Sequence, residues 1–358
     1  MIPVLAFTIA VGNEAMRQAR LLRTTFKAVH PEIPFLVVDA ALYARVARQP
    51  GVAQPGEIMA MRAWVGRHLS AFATRVAYLD ADVLVLSPLD PLLGPGGPAV
   101  RLTRDIAAAG GEGKPPPVNA GVLSAADPLF WIAWTRLIEE RLLPLIGNFF
   151  DQFTLRLMAW SKEGPLCCTL LPEVEAGDFL NIAAREAPGE WGRDGAFLTK
   201  GTARVRLWHW AGHWIKPGLD SLPPPAQELA RERIAQGKKN EAGTAAADAA
   251  LLDGLFAPEK LEPFFAARTA EIAASRPQPL IGMLPPVDAG GKPIPHPDDL
   301  WGSDLPAAWE AVRPAPPGFH RRLLPQAPRW LYARSEARLH APDVERYAKP
   351  FWAGEALG

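Results

Sequence analysis

Two aspartates, Asp80 and Asp82, interrupt the apolar run 76–86 and are separated by a single alanine. Unpaired carboxylates are expensive to bury, so we expect both to lie where the strand ends. A divalent cation could neutralise them there, which would suit an enzyme that holds a metal and a diphosphate together. The triplet alone is a weak signal, because a strand-end turn with solvated acids explains it at least as well.

A second group of chemically capable residues lies between Trp208 and Pro217. These ten residues contain three tryptophans, two histidines and a lysine. A neutral imidazole such as that of His209 can bind a metal, and Lys216 offers a point charge for a phosphate. An aromatic cluster that packs a domain boundary would explain one or two of the tryptophans, but not the whole segment.

Two shorter motifs lie between these segments. Asn119 and Gly121 stand at the mouth of an apolar strand, where glycine permits close backbone approach and asparagine offers a donor and an acceptor. Asp151 and Gln152 begin a predicted helix, 153–160, and a carboxylate with an amide can bind several hydroxyl groups of a sugar. An ordinary turn also explains the first motif, and a helix N-cap explains the second.

The elements that must position these residues alternate between apolar strands and amphipathic helices. Such alternation predicts an α/β domain with a mostly parallel sheet, whose ligands gather at the carboxyl ends of the strands. Asp127 as N-cap and Pro128 at the first helical position predict a helix that extends to Ile146. The other predicted elements are strands at residues 3–9 and 35–39 and helices at residues 16–26 and 57–72.

The composition changes after about residue 218, and 20 of the 38 prolines lie beyond that point. We therefore predict an α/β domain over residues 1–217 and a Pro-rich extension, partly helical and partly irregular, over residues 218–358. Helices are expected near residues 224–236 and 259–275.

The overall composition indicates which cellular compartment and which binding partners to expect. The chain has 38 basic and 38 acidic residues, so no net positive field indicates a nucleic-acid partner. No apolar run approaches a membrane span and no basic segment precedes the apolar start, so we expect a soluble, cytoplasmic protein. The two cysteines, Cys167 and Cys168, are adjacent, a poor geometry for a disulfide that indicates a reducing compartment.

Taken in order, the motifs resemble those of glycosyltransferase family 8, the glycogenin-like and lipopolysaccharide-galactosyltransferase-like group of retaining, nucleotide-sugar-dependent enzymes. The shared order is strand-Asp-x-Asp, Asn-x-Gly, Asp-Gln and His-x-x-Gly followed by Lys-Pro, within residues 1–217. The resemblance implies a GT-A domain, a Rossmann-like α/β fold for nucleotide sugars. It implies transfer of a hexose from UDP-glucose or UDP-galactose to a hydroxyl acceptor. A nucleotide-sugar hydrolase and a non-catalytic sugar-nucleotide or glycan-binding module are the alternatives.

The resemblance also implies a metal centre. Asp80, Asp82 and His209 would bind Mn²⁺ or Mg²⁺, and the cation would act as a Lewis acid on the leaving nucleoside diphosphate. Lys216 would add positive charge at that diphosphate. The chain departs from the family here, with one additional residue before Lys216.

Further residues match positions that bind the donor in that family. Asp151 and Gln152 would be the catalytic residues beside the donor sugar, with Gln152 near the anomeric carbon. Thr8 and Ala10 would form the edge that receives the nucleobase and ribose. The family's tyrosine is absent after this strand, which leaves a base other than uracil open. The remaining donor-binding positions are Arg62, Ala81, Asn119, Gly121 and Gly212.

The implied partners are a nucleotide-sugar donor and a glycan, lipid-linked or protein acceptor. The high content of alanine, arginine and proline indicates a GC-rich bacterial source, which favours an envelope glycan. Cations and aromatic residues alternate in residues 319–340, a pattern that suits peripheral contact with the inner membrane face or an acidic glycan. An ordinary solvated basic surface is the third interpretation.

Overall fold

A computed structural model gives the fold of the chain. It describes residues 1–42, 58–96, 99–104, 118–137, 155, 169–170, 178–179, 189–210, 218–264 and 266. The strands are β1 (Ile2–Ile9), β2 (Phe35–Val38), β3 (Ala73–Leu79), β4 (Val83–Val85), β5 (Val100–Arg104), β6 (Val118–Ala125), β7 (Thr169–Leu170), β8 (Asp178–Phe179), β9 (Trp191–Asp194), β10 (Phe197–Lys200), β11 (Ala203–Val205) and β12 (Leu207–His209). The helices are α1 (Asn13–Val29), α2 (Ile58–Leu69), α3 (Asp90–Leu93), α4 (Pro128–Leu137) and α5 (Pro224–Leu255), with a 3-10 turn at Leu219–Ser221.

A six-stranded sheet in the order β2-β1-β3-β6-β5-β7 lies at the centre of an α/β fold. β1 pairs in parallel with β2 and β3, and β5 pairs in parallel with β7. β6 runs antiparallel to both β3 and β5, so the described sheet has three parallel and two antiparallel pairings. The apolar pattern of a strand shows which of its faces are buried, but not whether the neighbouring strand runs parallel or antiparallel to it. The sequence therefore did not indicate the antiparallel direction of β6.

Apolar side chains cover both faces of this sheet. Because side chains alternate along a strand, Phe7 of β1 packs with Tyr78 and Trp131 on the face that α2 and α4 cover. Ala6 lies with Phe26 and other apolar residues on the face that α1 and α3 cover. The described part of the sheet is therefore buried between helical layers.

The apolar run 76–86 forms two strands that belong to different sheets. β3 lies in the central sheet, whereas β4 pairs antiparallel with β12 in a separate two-stranded sheet. Residues 80–82 form the turn between them, so the acids follow the end of β3, as predicted. The side chains of Asp80 and Asp82 are 24% and 13% exposed to solvent, while the flanking strand residues are buried.

The predicted start of α4 is confirmed. The Leu129 amide donates to Oδ1 of Asp127 at 2.9 Å, which is the N-cap bond, and Pro128 opens the helix. The structure describes α4 as far as Leu137, and the remainder of the predicted helix lies outside the described residues. The predicted helix 153–160 also lies outside them, except for one residue.

Helix α5 is much longer than the predicted helix at residues 224–236, and it packs along α1. The two helices approach closely at Gly237, where a Cβ atom would overlap the carbonyl group of Thr24. Residues 258–264 form a further helix, which begins one residue before the predicted stretch 259–275. Part of the predicted extension thus packs against the α/β domain, while the division at residue 217 stays a prediction. Among the described residues, no helix has both the length and the apolarity to cross a membrane.

A buried acid joins α5 to α1. Asp248 is 6% exposed, and its Oδ2 atom lies 3.1 Å from Lys27 Nζ and 3.4 Å from Arg23 Nη2. The Lys27 ammonium also donates to the carbonyl oxygen of Ile33 at 2.7 Å. Since a buried ammonium needs an opposite charge, this contact fixes the position of α5 on the domain.

Candidate metal centre

Three side chains that could hold a metal converge at the carboxyl end of β3. Asp80, Asp82 and His209 each offer one ligand atom, and these atoms all lie within 4.8 Å of one another. His209 Nε2 is 3.2 Å from Asp82 Oδ1 and 3.6 Å from Asp80 Oδ2. The imidazole is 1% exposed, whereas both carboxylates remain partly exposed. The histidine is therefore buried in the protein, whereas the two carboxylates remain accessible to solvent.

The pairing of β12 with β4 brings His209 to the acids. In this antiparallel register His209 lies opposite Val83, which directly follows Asp82. Because side chains alternate along a strand, the preceding residue, Trp208, points to the other side and packs against Trp191 at 5.4 Å. Two of the three tryptophans, Trp208 and Trp210, thus lie in an apolar cluster, as the packing interpretation expected.

Two neighbours hold the carboxylate of Asp80. The Tyr78 hydroxyl donates to Oδ1 of Asp80 at 2.6 Å, and Nη2 of Arg62 lies 3.3 Å from the same oxygen. The guanidinium of Arg62 lies over the Tyr78 ring at 4.8 Å and donates to the carbonyl oxygen of Ala120 at 3.2 Å. Oδ1 is therefore engaged by donors, and Oδ2 is the oxygen that faces His209.

β6 encloses the cluster and explains the need for glycine at position 121. The Asp80 amide donates to the carbonyl oxygen of Gly121 at 2.6 Å, and Asn119 Oδ1 accepts from the Gly121 amide at 2.9 Å. A Cβ atom on Gly121 would lie 2.6 Å from His209 Cε1 and would overlap the Asp80 carboxylate. The described contacts show that this glycine leaves space for two potential metal ligands. The predicted close approach of a bound ligand to its backbone stays a prediction.

The charges within the cluster favour a cation. Among the four residues Arg62, Asp80, Asp82 and His209, two carboxylates stand against one guanidinium when the imidazole is neutral, so these four side chains together carry a net negative charge. Two carboxylate oxygens and one imidazole nitrogen form a donor set that Mn²⁺ accepts, and Mg²⁺ can also bind carboxylates. The residues present therefore fit a hard or borderline divalent cation.

The structure places the other predicted site residues as follows. Thr8 and Ala10 lie at the end of β1 and are buried, and in the described part of the chain the Thr8 hydroxyl is buried without a hydrogen-bond partner. Ala81 lies in the turn between the two aspartates and is partly exposed. Arg62 contacts Asp80, and its predicted contact with the donor stays a prediction. The predicted residues outside the described ones are Asp151, Gln152, Gly212 and Lys216, together with residues 319–340.

Sequence reasoning missed Tyr78. The residue stands two positions before Asp80 in a strand, so its side chain leaves the same face as the acid. A tyrosine hydroxyl needs a hydrogen-bond partner when the ring is buried. That combination was the available signal, because the nearest acceptor on the same face is the carboxylate.

The chain is similar to several solved protein structures, but it matches no known family. No family model matches the chain, and no curated protein matches it. A glycosyltransferase involved in glycosylation of the major capsid of PBCV-1 is 13% identical over 67% of this chain and 99% of that chain, with a TM-score of 0.39. The glycosyltransferase GlyE of Streptococcus pneumoniae TIGR4 is 11% identical over 69% of this chain and 64% of its own, with a TM-score of 0.41. The galactosyltransferase LgtC, solved with donor and acceptor sugar analogues, is 16% identical over 66% and 95%, with a TM-score of 0.38.

Proposed function

We propose that this protein is a metal-dependent glycosyltransferase that moves a hexose from a nucleotide sugar to a hydroxyl acceptor. The observation that carries the proposal is the convergence of Asp80, Asp82 and His209 at the carboxyl end of β3. Open α/β sheets bind their ligands at that end of the strands. The substrate class follows from the order of the sequence motifs, which resembles glycosyltransferase family 8.

The chain would hold the cation through the three atoms that face one another. These are Oδ2 of Asp80, Oδ1 of Asp82 and Nε2 of His209, and the imidazole must be neutral to offer its lone pair. A cation held here supplies Lewis-acid stabilisation for the charge that develops on the leaving nucleoside diphosphate. The diphosphate would approach from the exposed side of the carboxylates.

In the proposed reaction the bond between the anomeric carbon and the diphosphate oxygen breaks first. The acceptor oxygen then bonds to the anomeric carbon on the face that the diphosphate leaves, which retains the configuration. The acceptor proton passes to the diphosphate, so the reaction needs no separate general base. Asp151 and Gln152 are proposed to hold the donor sugar, and Lys216 the diphosphate. UDP-glucose and UDP-galactose are the proposed donors.

A thermal-shift experiment with purified protein tests this proposal. We expect UDP-glucose or UDP-galactose to raise the melting temperature in the presence of Mn²⁺ and not in EDTA, because a ligand that binds only the native state stabilises it. Donor binding that is unaltered by EDTA would instead support a non-catalytic binding module.

A turnover assay separates transfer from hydrolysis. UDP release is measured with Mn²⁺, with and without candidate acceptors such as lipopolysaccharide-core oligosaccharides and simple glycosides. We expect an acceptor to increase the rate and to carry the hexose afterwards, as detected by mass spectrometry. UDP release that no acceptor changes would support a nucleotide-sugar hydrolase.

A further inference from the structure

We propose that Tyr78 is a positioning residue that sets which oxygen of Asp80 is presented to a metal. The inference rests on the proposed function, since it assumes that Asp80 is a metal ligand. It adds a residue to which the sequence analysis assigned no role. The evidence is the 2.6 Å hydrogen bond from the Tyr78 hydroxyl to Oδ1 of Asp80.

A carboxylate offers two equivalent oxygens and turns about its terminal bond unless a neighbour fixes it. In this structure the Tyr78 hydroxyl and Nη2 of Arg62 both contact Oδ1 of Asp80. Two donors on one oxygen leave the other oxygen, Oδ2, directed toward Nε2 of His209 at 3.6 Å. Asp80 is thereby arranged to bind a cation through a single oxygen.

Tyr78 can fix the carboxylate because its own ring is fixed. The residue is 2% exposed, and its ring lies 5.1 Å from that of Phe7 in the neighbouring strand β1. The guanidinium of Arg62 also packs on this ring, 4.8 Å from its centroid. Arg62 is itself held by the carbonyl oxygen of Ala120. The hydroxyl therefore has a defined position with respect to β3 and β6.

Loss of the hydroxyl should weaken metal binding without unfolding the chain. In Tyr78→Phe the ring would keep its contacts with Phe7 and Arg62, but Oδ1 of Asp80 would lose its neutral donor. The carboxylate could then turn so that both oxygens face Arg62, which competes with the cation for the same charge. Residues that orient a metal ligand typically contribute about 10–100-fold to affinity.

The experiment measures binding of Mn²⁺ alone by the electron paramagnetic resonance signal of the free ion. We expect the Kd of Tyr78→Phe to be at least about 10-fold higher than that of the wild type, and the spectrum of bound Mn²⁺ to change because its ligand sphere differs. The control is Thr135→Val, which removes another buried hydroxyl, bonded to the Trp131 carbonyl oxygen at 2.7 Å in α4. This variant should bind Mn²⁺ as the wild type does. Melting temperatures in EDTA verify that both variants are folded.

A double-mutant cycle with Asp80→Asn shows whether Tyr78 acts through Asp80. In the Asp80→Asn background, Tyr78→Phe should cause no further loss of Mn²⁺ affinity, and additive losses would overturn the inference. Equal affinity of the wild type and Tyr78→Phe for Mn²⁺ would also overturn it, while the proposed function would stand. A wild-type protein that binds no Mn²⁺ would overturn both.

Discussion

The backbone amide of Trp210 donates a hydrogen bond to the carbonyl oxygen of Asp82 at 3.2 Å. This bond ties the end of β12 to the turn that carries both acids, on one side of His209. On the other side, β12 pairs with β4 through main-chain contacts. Since main-chain bonds do not depend on side-chain identity, replacement of a ligand side chain should leave this frame in place. Substitutions of the ligand side chains therefore test the chemistry of the centre rather than its folding.

The first prediction concerns Asp82. In Asp82→Asn the amide cannot supply the negative charge that a divalent cation needs, so both Mn²⁺ binding and transfer should be lost. We expect a loss of affinity beyond the roughly 10–100-fold that is typical of residues that only orient a ligand. Titration with Mn²⁺ and the turnover assay measure it. Asp220→Asn replaces an exposed acid outside the cluster and should behave as the wild type. Full metal-dependent activity in Asp82→Asn would refute the assignment.

The second prediction compares two glycine-to-alanine substitutions. In Gly121→Ala the new Cβ would collide with Asp80 and His209, so we expect a destabilisation of about 1–3 kcal/mol and loss of Mn²⁺ binding. Gly243→Ala lies in helix α5, where a Cβ meets nothing within 4 Å, and should stabilise the protein by about 0.5–1 kcal/mol. Urea denaturation and Mn²⁺ titration of both variants test this. Unimpaired metal binding in Gly121→Ala would contradict the described geometry.

The third prediction concerns the contact between α5 and α1. Asp248→Ala would leave the ammonium of Lys27, whose side chain is 1% exposed, without its carboxylate, at a cost of about 3 kcal/mol in the free energy of unfolding. Asp253→Ala, an exposed position on the same helix, should change stability by less than about 0.5 kcal/mol. Both values come from urea denaturation curves. Similar stabilities for the two variants would mean that α5 does not depend on the buried ion pair.

The fourth prediction concerns pH. Burial lowers the pKa of His68, and nearby Lys260 lowers it further, although the bond between Nε2 and the Leu255 carbonyl oxygen, 2.7 Å long, opposes this. The native state therefore disfavours the imidazolium, while the unfolded chain takes up its proton near the ordinary pKa of about 6.5. The free energy of unfolding should fall as the pH drops below about 6.5 and level off, for this group, below the lowered native pKa.

A variant isolates the contribution of His68 to this dependence. His68→Gln keeps a donor for the Leu255 carbonyl oxygen but cannot take up a proton in this range. Urea denaturation of the wild type and the variant between pH 5 and pH 8 should give a shallower acid slope for His68→Gln. The lowered pKa of His30, also caused mainly by burial, predicts a residual slope of the same sign. Identical slopes would exclude a contribution from His68.

The sequence alone located the features that depend on local physical chemistry. The cost of burying charge placed Asp80 and Asp82 at the end of an apolar strand, and the structure has them in the turn after β3. The N-cap at Asp127 could be predicted from the sequence because its hydrogen bond joins residues only two positions apart. Helical spacing of apolar residues likewise identified α1, in which Ala19, Leu22 and Phe26 are buried, and α2, in which residues 61–69 are buried.

The tertiary structure decided which distant residues meet. The sequence marked His209 as a possible metal ligand, but only a resemblance joined it to Asp80 and Asp82. In the structure, the register of β12 on β4 brings its imidazole to the acids. The same holds for the space that Gly121 leaves beside Asp80 and His209, and for the place of Asp248 against Lys27. An apolar pattern shows that a segment is buried, but it does not show which other segment packs against it. Strand direction, register and the crossing of helices arise from the packing of the whole chain, so they could not be read from any one segment.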